Sequence, residues 1–476
     1  MKKRGRRQKW HIQTGKPNKK SRRKLAKQRR RSGFFRYYFA VIKTAQAKGK
    51  QNIDLPKYQV YDGRYSYQSK QQVTFSDNIQ YLATIPEAFD KSAMILPSGG
   101  RFMVPNPFSL TNNFKESFLF LKRLFFALYA DRFEKVFLDF NDCEQIDTDA
   151  LLCMDILLSE FIEYYGKCWR RKIKTRLREI DPINYQKESI GKVLFSTRTL
   201  ANIGRKEVKH EGIIPFHLIR GDNFASTAAQ EREREVTRMV DYIVESCNAM
   251  NRPLTWQAEN RLSKVIGEVL VNAAEHSGRK YRYAIGYFEK KKNGETDLGV
   301  FNFAILSFGK TIYQNFKGIE SEGWHVISRM KELSAKYTSN SWFKEKQFEE
   351  ETLWTLYALQ EGVTSIPDKK RGNGSINFIE SFFSLKGDME SDHLSFLTLM
   401  SGNTRITFEG KYKIVERQRG SGEKPFKMMT FNDSGNIEDK PDQEYVTFAD
   451  NFFPGTLITA KICINFNNIE TGSGHA

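Results

Sequence analysis

Residues 268–276 read Glu-Val-Leu-Val-Asn-Ala-Ala-Glu-His. The pattern predicts a helix on which Glu268, Asn272 and His276 share one face, while Val265, Ile266, Val269, Leu270 and Ala273 occupy the other. Such a helix can be buried on its apolar side and still hold a carboxylate one turn from a carboxamide. The Asn272 oxygen can ligate a hard Mg²⁺ that keeps water and nucleotide phosphates as its other ligands. The Glu268 carboxylate can polarise a water or a hydroxyl. His276, at the end of the pattern, is read as a partner of the helix C-terminus, not as a base.

Three further elements follow in order. The first is Ile305-Leu-Ser-Phe-Gly-Lys-Thr-Ile312, a strand ending in a glycine turn. The second is Glu361-Gly-Val-Thr-Ser365, then Lys369-Lys-Arg-Gly-Asn-Gly-Ser375, opening a helix. The third is Pro454-Gly-Thr-Leu-Ile458 on a late strand. Glycines at a helix N-terminus let backbone N–H groups approach a phosphate, and the helix dipole favours the anion. Lys370 and Arg371 add charge.

This order, over about residues 230–468, resembles the GHKL or Bergerat-fold ATPases, the family of histidine kinases, DNA gyrase, a heat-shock chaperone and the anti-sigma serine kinases. The resemblance implies a two-layer α/β sandwich that binds ATP and Mg²⁺. Glu268 is then the general base and Asn272 the Mg²⁺ ligand. Ser307 and Gly309 belong to the first glycine box, Gly362 and Thr364 to the lid. Arg371, Gly372 and Gly374 lie against the phosphates, and Thr456 sits on the strand under the adenine. The chain departs from the family at Ser307, where the family has an Asp that accepts a hydrogen bond from the adenine amino group. A serine carries no charge there, and loss of a charged hydrogen bond costs ~1.5–3 kcal/mol. The rival P-loop reading of Phe308-Gly-Lys-Thr311 fails, because position 304, where that loop needs a glycine, is Ala304.

Upstream, residues 101–204 alternate strand, turn and helix. Helical spacing runs over Phe114–Ala130, an apolar strand over Lys135–Phe140, and a helix over Ala150–Tyr165 with Asp147 or Thr148 as its cap. Ile190–Leu200 is predicted as one amphipathic helix. The run Val136 to Leu151, Val-Phe-Leu-Asp-Phe-Asn-Asp-Cys-Glu-Gln-Ile-Asp-Thr-Asp-Ala-Leu, resembles the STAS domain of anti-sigma-factor antagonists. That resemblance implies a small α/β module that binds a protein partner. In the family two hydroxyl residues follow the Asp and the second is phosphorylated. Here they are Thr148 and Asp149, so the usual modification is impossible. Asp149 is read as a first-turn capping residue or as an imitation of the modified state.

The rest of the chain divides less sharply. Residues 51–100 receive no assignment and 205–229 read as a polar linker. Helices are predicted over Glu231–Met250, Pro253–His276, Glu320–Tyr337 and Glu349–Gln360, and another from Gly374 through Phe383. Strands are predicted over Tyr281–Phe288 and Leu298–Ser307, joined at Asn293-Gly294, and over His393–Met400, Asn403–Phe408 and Gly455–Phe466. Residues 410–450 read as a polar insertion, and 469–476 as a tail.

The chain has 476 residues and a formal charge of +20. Residues 1–50 hold 20 Lys and Arg and no acid, leaving 56 of each sign in the remainder. All of the excess is therefore in one arm, expected to be disordered when free. Its charge suits phosphates, and Trp10, His11, Phe34, Phe35, Tyr37 and Tyr38 can stack on unpaired bases. A solvated tail, a membrane-surface contact or an acidic partner remain open for it. No apolar run reaches the ~18 residues of a membrane span, and no secretory signal is expected. The five scattered cysteines predict reduced thiols in a cytoplasmic protein.

The combined expectation is a basic arm, a STAS-like module and a GHKL domain acting as an ATP- and Mg²⁺-binding regulatory switch with slow ATPase activity. The alternatives are a non-catalytic binder that uses residues 2–38 on nucleic acid, and a serine/threonine kinase of the anti-sigma type. For the arm, deletion of residues 2–31 is expected to weaken binding to single-stranded RNA or DNA in a fluorescence titration and to flatten its dependence on salt. Unchanged binding would remove nucleic acid as a partner.

Overall fold

Three parallel strands open the described chain. β1 (Arg101–Met103), β2 (Lys135–Asp139) and β3 (Glu179–Ile183) lie side by side in that order. Helix α1 (Phe114–Ala130) joins the first two strands, and α2 (Thr148–Arg170) joins β2 to β3. The chain continues through α3 (Glu188–Ser196) and the single turn α4 (Thr199–Asn202). In this computed structural model the described residues are 91–130, 133–170, 177, 179–293, 296–319, 325–338, 347–365, 374–386, 395–418 and 425–464. The basic arm, residues 51–90, Lys370, Arg371, Gly372 and the tail 469–476 lie outside them.

The C-terminal half is an antiparallel sheet with helices. Its elements are β4 (Ile213–Pro215), β5 (Ile219–Asp222), α5 (Ala228–Asn248), α6 (Trp256–His276), β6 (Tyr281–Asn293), β7 (Thr296–Phe308), α7 (Ile312–Gly318), α8 (His325–Thr338), α9 (Glu350–Tyr357), α10 (Gly374–Lys386), β8 (Phe396–Phe408), β9 (Val415–Arg417), β10 (Phe426–Met428) and β11 (Val446–Cys463). The strand order is β4-β6-β7-β11-β8, with β5 also on β6. β9 and β10 form a separate hairpin. Both halves are thus α/β, as the alternation of patterns predicts.

The sheet is covered on both faces, and this sets its composition. Residues 300–308 are buried without interruption, including Asn302 and Ser307. Successive side chains point to opposite faces. Ile285, Ala304, Leu306, Phe308 and Leu457 belong to one core, shared with α1 and α2 of the N-terminal unit. Phe301, Phe303, Ile305, Ile458 and Ala460 belong to a second, shared with α6, α9 and α10. Phe453 shows how closely the halves join. It is fully buried, with ring centroids 6.5 and 6.1 Å from Phe114 and Phe118 of α1 and 6.4 Å from Phe308 of β7. Polar bonds cross the same boundary. The Tyr283 hydroxyl donates to Glu160 at 3.0 Å, Arg220 pairs with Glu163 at 2.8 Å, and Arg405 donates to the Thr111 carbonyl.

Several sequence expectations are corrected by packing. Residues 205–229, read as a linker, supply β4 and β5, both paired with β6. The helix expected over Ile190–Leu200 breaks into α3 and α4 at Arg198, which takes a left-handed φ of 62°. The two strands expected between 393 and 408 are the single strand β8; Gly402 (φ 62°) lies where β11 bulges opposite it, with extra residues on the β11 side of the register. β11 starts at Val446, within the expected insertion, instead of at Gly455. Asn293 pairs with Thr296 at the ends of β6 and β7, and Gly294, expected in the turn between them, lies outside the described residues. The first residues of the helix expected over Glu320–Tyr337 lie outside the described set, and α8 is seen from His325.

Asp149 lies in the first turn of α2, as expected, but it is not open to solvent. It is 1% exposed, and its carboxylate accepts from the backbone N–H groups of Leu110 (3.2 Å) and Thr111 (2.9 Å) and from the Thr111 hydroxyl. Burial, reinforced by the charge of Asp147, pushes its carboxyl upward. Thr148 is buried beside it, close to the Tyr287 hydroxyl of β6. The Asp149 position is therefore closed from solvent by the loop at Leu110 and Thr111.

One turn and a half along α2, Asp155 is 2% exposed. Its Oδ2 accepts from Thr199 Oγ1 at 3.0 Å, while Oδ1 has no hydrogen-bond partner. Burial pushes the carboxyl from 3.8 up to about 8. The folded protein thus holds a proton here that the unfolded chain releases. This stability is complete below the unfolded value and is lost as pH rises through about 8. Asp155→Asn keeps the shape and removes the titration. In urea unfolding it is expected to flatten the fall in stability between about pH 5 and pH 9 by a few kcal/mol, and to leave the variant more stable than wild type at pH 9. Identical pH profiles for both proteins would refute this.

Candidate functional site

Helix α6 carries the decisive residues because its cap, apolar stripe and end are all specified locally. The Thr255 hydroxyl accepts from the Ala258 N–H at 3.3 Å. Leu262, Val265, Ile266, Val269 and Leu270 are essentially fully buried against the sheet. Glu268 and Asn272 are thereby turned away from the sheet core, toward the start of α10. A Cβ placed on Gly374 would stand 2.5 Å from Glu268 Oε2 and 3.8 Å from Asn272 Oδ1. The acid, the amide and the N-terminus of a 13-residue helix therefore meet at one point.

They meet at the edge of a cavity of about 480 Å³. Its floor is apolar, made by Ile305, Leu399 and Ile458 from three neighbouring strands, with Phe378 and Leu359 from the helical layer. Polar side chains enter from several elements. Ser307 of β7 and Thr456 of β11 stand directly opposite one another in the strand register. Thr456 Oγ1 lies 2.9 Å from Ser401 Oγ, which in turn accepts from the N–H of Ile312 at the start of α7. Thr364 and Ser365 follow α9 along another side. The volume is within the ~300–1,000 Å³ of ordinary ligand pockets, and the mixture of apolar floor and few polar groups is typical of them.

Of the residues singled out from sequence, Glu268, Asn272, Ser307, Thr364, Gly374 and Thr456 all line this cavity. Gly309 and Gly362 do not. Gly362 takes a left-handed φ of 77° just before the lining residues Val363 and Thr364, so its contribution is a turn. Gly309 sits behind the wall at φ 134°, where a Cβ would overlap the Ser277 carbonyl oxygen. That close approach lets Lys310 N–H donate to Ser277 O at 3.0 Å and fastens the end of β7 to the end of α6. Arg371 and Gly372 fall outside the described residues, and so does the side chain of His276.

Sequence reasoning missed Lys310, Asn315, Ser375 and Asn377, which also line the cavity. Asn315 belongs to α7, whose start was legible: Thr311 and Gln314 form a reciprocal capping box. Asn377 lies one turn after Gly374 on α10, a spacing that could have marked it.

The donor chemistry suits a ligand-borne cation better than a resident metal. Among the described residues no group of three or more His, Cys, Asp and Glu could hold a metal by itself. Asn272 and Glu268 offer hard oxygens beside a glycine with no side chain. A Mg²⁺ that arrives with phosphate oxygens and water needs no more from the protein. Among the described residues no helix is long and apolar enough to cross a membrane, and all five cysteines are buried and free.

No family model matches the chain, and neither a curated protein nor a solved structure shows significant similarity to it.

The two glycines make opposite predictions. Gly309→Ala forces a backbone clash at a positive φ and is expected to lower stability in denaturant unfolding by about 2 kcal/mol or more. Gly374→Ala meets only the mobile end of Glu268 and is expected to change stability by less than about 1 kcal/mol. Equal losses in the two variants would contradict this placement.

Proposed function

We propose that the protein is an ATP- and Mg²⁺-binding switch of the GHKL type, with slow ATP hydrolysis, in which a STAS-like N-terminal unit is built onto the back of the nucleotide-binding sheet. The observation that carries the reading is the convergence of Glu268, Asn272 and Gly374 at the mouth of a cavity whose far wall includes Ser307 and Thr456. These residues are scattered over 189 positions of sequence and were singled out from sequence for one chemistry. An antiparallel sheet with its helical layer on the cavity side also supports it.

In this reading the apolar floor takes the base, with Ser307 and Thr456 able to donate or accept at its edge. The N–H groups at the start of α10 face the phosphates, where the helix dipole favours negative charge. Asn272 Oδ1 would hold Mg²⁺, which when bound neutralises phosphate charge. Glu268, one turn earlier, orients and deprotonates the attacking water. The uncharged Ser307 favours weak discrimination of the base.

Isothermal titration with Mg-ATP tests this directly. Wild type is expected to bind, Asn272→Ala to lose at least tenfold in affinity, and Glu268→Ala to retain binding while phosphate release falls to background. No heat of binding by wild type at millimolar nucleotide defeats the proposal. Binding without any phosphate release supports the non-catalytic alternative, which Ser307 favours.

A further inference from the structure

The cavity lies between two segments that diverge in sequence. One is the stretch after α9, described as far as Ser365, and the other is α10 from Gly374. Both are bonded to β10 and the residue that follows it, within residues 410–450, the region that reads in sequence as a polar insertion. Gln360, 5% exposed, pairs in both directions with Met429: its Oε1 accepts from the Met429 N–H at 2.8 Å and its Nε2 donates to the Met429 carbonyl at 3.0 Å. Glu361 repeats the motif on Lys427, its N–H donating to the Lys427 carbonyl and its carboxylate accepting from the Lys427 N–H at 2.5 Å. The Lys427 ammonium then reaches across to α10 and contacts both Glu380 oxygens at 2.7 Å.

Resting on the cavity reading above, we propose that Lys427 is a positioning residue for this site: through Glu361 and Glu380 it holds the Leu359–Ser365 wall and helix α10 in one fixed relation, so that Thr364 and Gly374 face the same space.

Three features support the assignment. Lys427 stands among three carboxylates: Glu416, its cross-strand partner, joins Glu361 and Glu380 in stabilising its charge. Removing the ammonium therefore leaves like charges facing one another across the junction, and their repulsion drives the two segments apart. The pair is also half-exposed, with Lys427 at 28% and Glu380 at 44%. An exposed pair contributes little to global stability, so its effect is on local geometry. Finally, the rest of the insertion is anchored independently. Phe431 stacks edge-on to the cavity-lining Phe408 at 5.3 Å, and Glu438 pairs with Arg329 of α8 at 2.6 Å. β10 therefore has a fixed base from which to hold the wall.

Hydrogen–deuterium exchange of the full-length protein, read beside Mg-ATP titration, tests the proposal. Lys427→Met is expected to speed amide exchange about two- to fivefold in residues 358–365 and 374–386 and to leave β6 and β7 unchanged. Nucleotide affinity is expected to fall by a similar factor, and Lys427→Arg to restore both. Glu380→Gln placed on Lys427→Met removes part of the repulsion and is expected to recover part of the protection. Unchanged exchange in the two segments overturns the proposal. So does equal loosening of β6 and β7, absence of rescue by arginine, or loosened segments with unaltered affinity. If wild type binds no Mg-ATP, the nucleotide reading falls, and the exchange pattern with its rescue still decides whether Lys427 holds the two walls together.

Discussion

The structure depends on one constraint: the central stretch of the sheet β6-β7-β11-β8 is packed on both faces. Its strands carry two interdigitated sets of apolar side chains, one packed on α1 and α2, the other on α6, α9 and α10. A sheet of this kind cannot slip in register, since a shift of one residue would exchange the two sets. It also ties the halves together thermodynamically. Phe453 and Leu457 contact the N-terminal unit while Ile458, the next residue, contacts the helices of the cavity layer. The N-terminal unit is thus part of the sheet's packing, and removing it would expose a broad apolar surface to water at about 25 cal/mol per Å².

That constraint also explains which parts of the fold were legible in sequence. Buried on both faces, β7 reads as a nearly continuous apolar run, and such runs are recognisable as strands. α6 was legible for the opposite reason: one face is buried and the other presents Glu268 and Asn272, so its period is clear. The short edge strands β4 and β5 were not. They contribute three and four residues, include Pro215 and Gly221, and are strands only because β6 offers them an edge. β8 was split in the reading because Ser401-Gly402-Asn403 resembles a turn. It is continuous strand that faces a bulge in β11, and Glu351 of α9 fills the space beside it by accepting from the Asn403 N–H at 2.8 Å.

The site was legible to the extent that its residues follow one another in an order with chemical meaning. Glu268 and Asn272 are marked by helical spacing, and Ser307 and Thr456 by the strand ends that carry them. Gly309 was marked correctly as special, but for the wrong contact: its missing Cβ admits the Ser277 carbonyl, not a ligand. A glycine in sequence states that something comes close, and only coordinates state what. Lys310 carried no comparable mark, since a lone lysine after a strand is an ordinary surface residue, and Asn377 carried only its spacing of one turn from Gly374. At Asp149 the sequence predicts a first-turn capping residue, and α2 does carry it in its first turn, but its carboxylate does not face solvent. The fold instead spends it on the loop at Leu110 and Thr111, the same loop whose carbonyl receives Arg405 from β8.

These facts place the cavity and the N-terminal unit one residue apart. On β7, Ser307 lines the cavity while its neighbours Leu306 and Phe308 pack in the core shared with α1 and α2. On β11, Thr456 lines the cavity and Leu457 belongs to the opposite core. Protein interiors are close-packed, so a displacement of either strand cannot be absorbed on one side alone. Movement that brings Ser307 or Thr456 toward a bound group must be matched by movement of Leu306, Phe308 or Leu457 against the N-terminal unit. The route between the two faces is the thickness of a single sheet, and it needs no hinge or linker. On the proposed switch reading, the energy that would couple the two faces is the packing energy of those few side chains against α1 and α2, together with the Arg405–Thr111 bond that closes the same joint.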